Sequence, residues 1–307
     1  MNGRLLAAIG YLLVMSGGGA ACRADARGSD SGRVALLPSM MPPKQTNADA
    51  QPPAVPFDSA TPRLVARAVG GWPHDTAAFT QGLVVDGGRL LESVGREGRS
   101  DVREVDRLTG RVIRHTSLPE TEFGEGIAVV GQRLYQVTWK GGRGHVYDAR
   151  SLAPLDSFAF AGEGWGLATD GRLLYLSDGT SRIRVVDPQG FRVQSTIQVR
   201  EADKPVWMLN ELEWVRGELW ANVYLTDLIA RIDPATGRVL GWLDVGSLLA
   251  PAERADVEQR GGVANGIAFD SAANRLIITG KLWPKLFQID VNPIFARAAA
   301  HPAPTRP

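Results

Sequence analysis

From about residue 80 the chain alternates short apolar runs with polar turns, and the apolar positions do not recur with the 3.6-residue period of an amphipathic helix. The runs repeat in register. Five segments open with a variable residue followed by small and apolar ones: Gln81-Gly82-Leu83, Glu125-Gly126-Ile127, Trp165-Gly166-Leu167, Asn210-Glu211-Leu212 and Asn265-Gly266-Ile267. Glu211 alone breaks the glycine rule. Each start is followed by a second run, at Arg89-Leu90-Leu91, Arg133-Leu134-Tyr135, Leu173-Leu174-Tyr175, Glu218-Leu219-Trp220 and Arg275-Leu276-Ile277. A third run then ends in aspartate, at Asp106, Asp148, Asp187, Asp233 and Asp290. Turn words such as Asp86-Gly87-Gly88, Thr109-Gly110 and Thr236-Gly237 separate the runs and mark them as strands.

Starts spaced by about 40 to 55 residues, each opening a unit of about four short strands, describe the blades of a propeller rather than a helical solenoid. The expected fold is all-β, a five-bladed β-propeller. Too little chain follows Asp290 for a further strand, so an N-terminal strand at Arg63 to Val69 is expected to complete the fifth blade and close the ring. Closure removes the exposed sheet edges that invite misassembly.

The flanks differ in kind. An apolar run from Leu5 to Met15 follows Arg4 and passes into the small residues Gly17 to Ala21, which predicts a secretory signal peptide over 1–21, too short for a comfortable membrane span. Cys22, the single cysteine, stands where bacterial lipoproteins attach lipid, and two fates stay open for it: lipidation, or removal with the leader. No intramolecular disulfide can form. Residues 22–60, rich in Pro, Ala, Ser and Asp, predict a flexible linker; 61–295 form the propeller domain and 296–307 a disordered tail. The mature protein is expected to be exported, periplasmic or secreted, monomeric, and membrane-anchored if Cys22 carries lipid.

Thirty-four Lys and Arg against 33 Asp and Glu leave a formal net charge of +1, so there is no basic field for nucleic acid and the partner is expected to be a small or peptidic molecule. Eight Trp and 35 Gly suit a turn-rich β protein with aromatic surfaces. The innermost strand of every blade lines the central channel, so Gln81, Glu125, Trp165, Asn210 and Asn265 form one ring. Fourteen residues on, Gly95, Trp139, Gly179, Tyr224 and Thr279 form a second ring beside it, with Lys281 two residues further. Packing alone would repeat similar residues at equivalent positions. A carboxylate, carboxamides and large aromatics there point to a ligand pocket, against the alternative of polar channel residues bridged by water. Glu125 is the candidate acid or base. His74 beside Asp75 reads as a structural hydrogen bond, and Trp139 and Trp165 could equally be core. No Gly-x-Ser-x-Gly elbow, phosphate loop or zinc-spaced histidine pair is present.

Eight ordered words then identify a resemblance: Pro73-His74-Asp75 with Ala78-Phe79-Thr80-Gln81-Gly82-Leu83, Phe123-Gly124-Glu125-Gly126, Thr138-Trp139-Lys140, Glu163-Gly164-Trp165-Gly166-Leu167, Leu209-Asn210-Glu211-Leu212-Glu213, Trp220-Ala221-Asn222-Val223, Asn265-Gly266-Ile267-Ala268 and Thr279-Gly280-Lys281-Leu282-Trp283-Pro284. From Arg63 to Asn292 the chain resembles the plant and bacterial glutaminyl-peptide cyclotransferases. The resemblance implies a five-bladed propeller without catalytic metal or other cofactor, acting on peptides or proteins with N-terminal glutamine. It implies a pocket of Phe79, Gln81, Phe123, Glu125, Trp139, Trp165, Asn210 and Lys281. Tyr224 stands where the plant enzymes have tryptophan. Glu125, Asn210 and Lys281 are then expected to carry the chemistry, with Phe79, Gln81, Phe123, Trp139, Trp165, Tyr224 and Asn265 binding substrate. Two other readings stay open. One is a calcium-dependent propeller lactonase using Glu125, Asn210, Asn265 and Asp178 as oxygen ligands; the other is a non-catalytic peptide-binding propeller.

Overall fold

The structure, a computed structural model, describes residues 55–56 and 58–300, with side chains as far as residue 296. The expected signal peptide, Cys22, most of the linker and the end of the tail lie outside these residues.

Strands β1 (Arg63–Val65) and β2 (Ala68–Pro73) precede the repeats. The first blade is β3 (Thr80–Asp86), β4 (Arg89–Val94), β5 (Asp101–Val105) and β6 (Val112–Ser117). The second is β7 (Gly124–Val130), β8 (Arg133–Thr138), β9 (Arg143–Asp148) and β10 (Pro154–Ala159). The third is β11 (Leu167–Thr169), β12 (Leu174–Leu176), β13 (Arg182–Asp187) and β14 (Arg192–Gln198). A small hairpin, β15 (Arg200–Glu201) with β16 (Lys204–Pro205), leads into the fourth blade, β17 (Leu209–Val215), β18 (Glu218–Val223), β19 (Leu228–Ile232) and β20 (Val239–Asp244). Helix α1 (Pro251–Gln259) precedes β21 (Ala264–Asp270), β22 (Arg275–Gly280) and β23 (Lys285–Asp290), and α2 (Asn292–Ala300) follows.

Each blade is an antiparallel meander whose burial falls from the inside outward: β4 and β8 are nearly all buried, whereas β6 and β10 are exposed along most of their length. The inner strands β3, β7, β11, β17 and β21 pack side by side, and β21 returns to β3. The architecture is therefore the five-bladed propeller that the repeats predict.

The fourth strand of the fifth sheet is β2, antiparallel to β23 from Trp72 opposite Leu286 to Ala68 opposite Ile289. The N-terminal pairing thus lies a few residues later than the expected Arg63 to Val69. Arg63–Val65 instead runs parallel to the outer strand β20 of the fourth blade, where Arg63 reaches the Asp244 carboxylate at 2.7 Å. Two further boundaries differ from expectation. The last residues of the expected linker touch the hairpin before the fourth blade, the Asp58 amide donating to Glu201 Oε1 at 3.0 Å. Residues 296–300 of the expected disordered tail continue helix α2.

The repeated glycine has a physical cause at the channel. A Cβ on Gly126 would lie 2.3 Å from the Leu167 amide nitrogen, and one on Gly166 only 2.0 Å from the Asn210 carbonyl oxygen, so neighbouring inner strands meet backbone to backbone. One side chain fits where five would collide. That side chain is Glu211, fully buried, whose carboxylate accepts the Leu83 amide of β3 at 3.4 Å and the Ile267 amide of β21 at 2.9 Å. The exception to the glycine rule therefore ties the fourth blade to the first and the fifth.

Candidate active site

Inner and second strands of a blade are antiparallel, so the beginning of one meets the end of the other: Thr80 faces Val94, Gly124 faces Thr138, Leu209 faces Val223 and Ala264 faces Gly280. The two sequence rings consequently share one face. At every one of those places the register slips, around Gln81, Glu125-Gly126, Asn210-Glu211 and Asn265-Gly266. Such bulges bend a strand locally and re-aim the side chains they carry.

Glu125 is 4% exposed and Lys281 1%. Gln81 lies between them. Its Oε1 accepts a hydrogen bond from the Lys281 ammonium, and its Nε2 donates to Glu125 Oε1 at 3.4 Å. Burial pushes the Glu125 carboxyl well above the usual carboxylate range; the Lys281 cation pulls it back and the Glu163 charge pushes it further. Burial likewise lowers Lys281 to about 8 against the opposing pull of Glu125 and Glu211. In both groups the cost of losing water outweighs the mutual attraction. Asn210 is buried at the β17 bulge, and its Oδ1 has no hydrogen-bond partner among the described residues.

Aromatic rings enclose this polar set. Phe79, Phe123, Trp139, Trp165 and Tyr224 belong to one packed cluster together with Leu282 and Met208. Phe79 meets Phe123 edge to face at 6.4 Å, Phe123 meets Trp139 at 5.8 Å, and Trp165 meets Tyr224 at 5.7 Å. Lys281 Nζ lies 4.7 Å from the Phe79 centroid and 5.8 Å from that of Tyr224, so its charge rests on two ring faces. Burial and the Glu125 charge push the Tyr224 hydroxyl up to about 12, which leaves it a neutral donor at neutral pH.

Glycines shape the cage. A Cβ on Gly95 would come within 2.3 Å of the Phe123 ring and 2.8 Å of Gln81, and one on Gly179 within 2.7 Å of the Trp165 indole. These second-ring positions are empty of side chain because the aromatic walls fill them.

Most of the residues expected from the sequence therefore come together: Phe79, Gln81, Phe123, Glu125, Trp139, Trp165, Tyr224 and Lys281. Asn265 is buried, with its Oδ1 unpartnered among the described residues as that of Asn210 is. Its Nδ2 donates to the Thr80 carbonyl at 2.9 Å, linking β21 to β3. Asp178 accepts from the Thr180 hydroxyl and faces Arg184 at 3.7 Å, so its carboxylate already has a cation and a donor. No group of three or more His, Cys, Asp or Glu suited to a metal occurs among the described residues. His74 is structural, as its sequence setting suggests, with an unexpected partner: its Nε2 pairs with Glu92 at 2.9 Å and its Nδ1 with the Trp283 carbonyl at 2.8 Å, while Asp75 pairs with Arg103.

Sequence reasoning missed two residues. Glu163 accepts both indole N–H groups of the cage on one oxygen, from Trp139 at 3.0 Å and Trp165 at 2.9 Å. It stands two residues before Trp165 in a family word, which was the available signal. Met208 joins the cage through a backbone φ of 65° and left no sequence signal. The surface clefts at Val130, Arg133 and Gln189 and at Asp227, Arg254 and Trp283 contain none of the ring residues.

The glutamine cyclotransferase family profile matches residues 37–291. The chain is 46% identical over 235 residues to the glutaminyl-peptide cyclotransferase of Arabidopsis thaliana, covering 75% of this chain and 72% of that protein. The crystal structure of Myxococcus xanthus glutaminyl cyclase superposes with a TM-score of 0.70 at 36% identity, covering 75% of this chain and 97% of that one.

Proposed function

Since this chain belongs to the glutamine cyclotransferase family, we propose a mechanism for it in which Glu125 moves the proton, Asn210 and Lys281 stabilise the developing charge, and the aromatic cage holds the substrate. The enzyme is a glutaminyl-peptide cyclotransferase: it converts an N-terminal glutamine of a peptide or protein to pyroglutamate and releases ammonia. The α-amine attacks the γ-carboxamide carbon of the same residue, the C–N bond to the amide nitrogen breaks, and a five-membered lactam forms. Nucleophile and electrophile are already tethered, so the protein must fold the side chain back, move one proton and stabilise an oxyanion.

The observation that carries this reading is the buried Glu125 carboxyl joined through Gln81 to Lys281 inside the cage. A single carboxylate takes the proton from the attacking nitrogen and returns it to the departing one, and a raised pKa suits both halves of that task. Lys281 and the Asn210 amide donate to the carboxamide oxygen as negative charge builds, each donor contributing about 3 kcal/mol. The unpartnered Asn210 Oδ1 can accept a substrate N–H. Phe79, Phe123, Trp139, Trp165 and Tyr224 clamp the methylene groups and exclude water.

Export through the 1–21 leader, with a monomeric propeller released or tethered through Cys22, completes the proposal. No described helix is long and apolar enough to cross a membrane. Incubation with a glutamine-initiated peptide should yield a product lighter by one ammonia together with free ammonia; binding without either would favour the peptide-binding reading.

A further inference from the structure

The cage closes around the pocket as a circuit with two polar joints. Phe79, Phe123 and Trp139 touch in sequence, as do Trp165 and Tyr224. Lys281 spans the gap between Tyr224 and Phe79 with its cation. Glu163 spans the other gap, between Trp139 and Trp165, with its carboxylate. The indoles come from different blades, Trp139 from the end of β8 and Trp165 from the entry to β11, and their N–H groups converge on the one Glu163 oxygen.

Glu163 is itself held in place. Arg184 of β13 donates to the Glu163 carbonyl at 2.6 Å and also bonds the Ala161 carbonyl, which pins the backbone on both sides of Gly162. Both indole bonds fall on Oε2, so the carboxylate makes two charge-assisted hydrogen bonds with one oxygen and keeps Oε1 for other donors.

We propose that Glu163 is a positioning residue for the cyclisation, fixing the distance between the two indole walls that grip the glutamine and holding a negative charge within reach of Glu125. This rests on the cyclotransferase mechanism above, since the charge acts through Glu125. The charged groups facing Glu125 are Lys281 and Glu163, with the Tyr224 hydroxyl near by; those near Glu163 are Arg184, Asp178 and Lys140, whose Nζ sits 3.9 Å from the Trp139 ring. Glu163 raises the Glu125 pKa, so neutralising it must lower that pKa.

Two variants separate the roles. Glu163→Ala removes the one oxygen that accepts both indole N–H groups, and KM for a glutamine-initiated peptide should rise at least about tenfold as the two walls lose their fixed separation, with altered tryptophan fluorescence. Glu163→Gln keeps an amide oxygen for the indoles but no charge; KM should return towards that of the unmodified enzyme. In the same variant the acid limb of kcat/KM, referred to substrate with a neutral amine, should move to lower pH. An unchanged KM in Glu163→Ala, or an acid limb unmoved in Glu163→Gln, overturns the proposal. Should Glu163→Ala fail to fold, as judged by circular dichroism, the pH profile of Glu163→Gln decides alone. Failure of the cyclotransferase reading is distinguishable, because the unmodified enzyme would then release no ammonia at all.

Discussion

The Lys281 ammonium donates a hydrogen bond to the side-chain oxygen of Gln81, joining residues 200 positions apart in the chain. The other end of the Gln81 carboxamide points at Glu125, so one neutral side chain sets the distance between the pocket's acid and its cation. The buried charge of Lys281 is compensated by a dipole, by two aromatic faces and by the charges of Glu125 and Glu211.

Glu125→Gln keeps the shape of the side chain and removes its proton transfer. We expect kcat to fall by about a thousandfold with little change in KM, the usual scale of general acid–base catalysis. Steady-state ammonia release measures both, and near-normal turnover would sink the assignment.

The pH profile should be bell-shaped. With Glu125 required ionised, its raised pKa places the acid limb of kcat/KM well above 4.5 once substrate amine titration is allowed for, and activity is lost as pH falls through it. With Lys281 required protonated, the alkaline limb lies near 8. Lys281→Met removes the cation that lowers the Glu125 pKa, so the acid limb should move up and the alkaline limb vanish. An unchanged profile in that variant would separate Lys281 from the chemistry.

Gly179→Ala tests the cage wall. Its φ of 77° disfavours a side chain, and the new Cβ would sit 2.7 Å from the Trp165 indole. We expect a loss of about 1–3 kcal/mol in stability from the strained backbone, and a higher KM as Trp165 shifts. Gly87→Ala, with a φ of 56° and open space around it, is the control: lower stability with the same KM.

Glu211→Ala should strip two backbone amides in the channel of their acceptor. Each orphaned donor costs about 1–3 kcal/mol, and a matching fall in the free energy of unfolding should appear in denaturant titration. A neutral result would mean that the amides find other partners.

The His74–Glu92 pair gives stability a pH signature. His74 is raised from 6.5 despite burial, because Glu92 favours its cation, so its contribution is complete below 6.5 and lost as pH rises through the higher folded value. Burial, the largest single influence on Glu92, raises it, but His74, Arg103 and the Thr80 hydroxyl together lower it below 4.5, so its contribution is complete above 4.5 and lost as pH falls through the lower folded value. Both are fully present between 4.5 and 6.5. Glu92→Gln should cost about 3–5 kcal/mol there and flatten the dependence of melting temperature on pH.

What the sequence determined by itself was everything that repeats: the five inner strands, their partners, the closing aspartates, and hence the face on which Gln81, Glu125, Trp165 and Asn210 gather. Strand alternation and turn chemistry act over a few residues, and an equivalent position in each unit is an equivalent position in the ring. The tertiary structure decided what depends on contact between blades. Only there does Glu163 join Trp139 to Trp165, Gln81 join Lys281 to Glu125, and Glu211 fill an axis that leaves room for one side chain; only there does Asn265 tie β21 to Thr80 of the first blade. It also moved the N-terminal pairing of the fifth blade to Ala68–Pro73, because Arg63–Val65 finds a partner on β20 that no local pattern announces. Distances of a few ångströms between blades follow from how five sheets crowd a common axis, and no single repeat encodes that crowding.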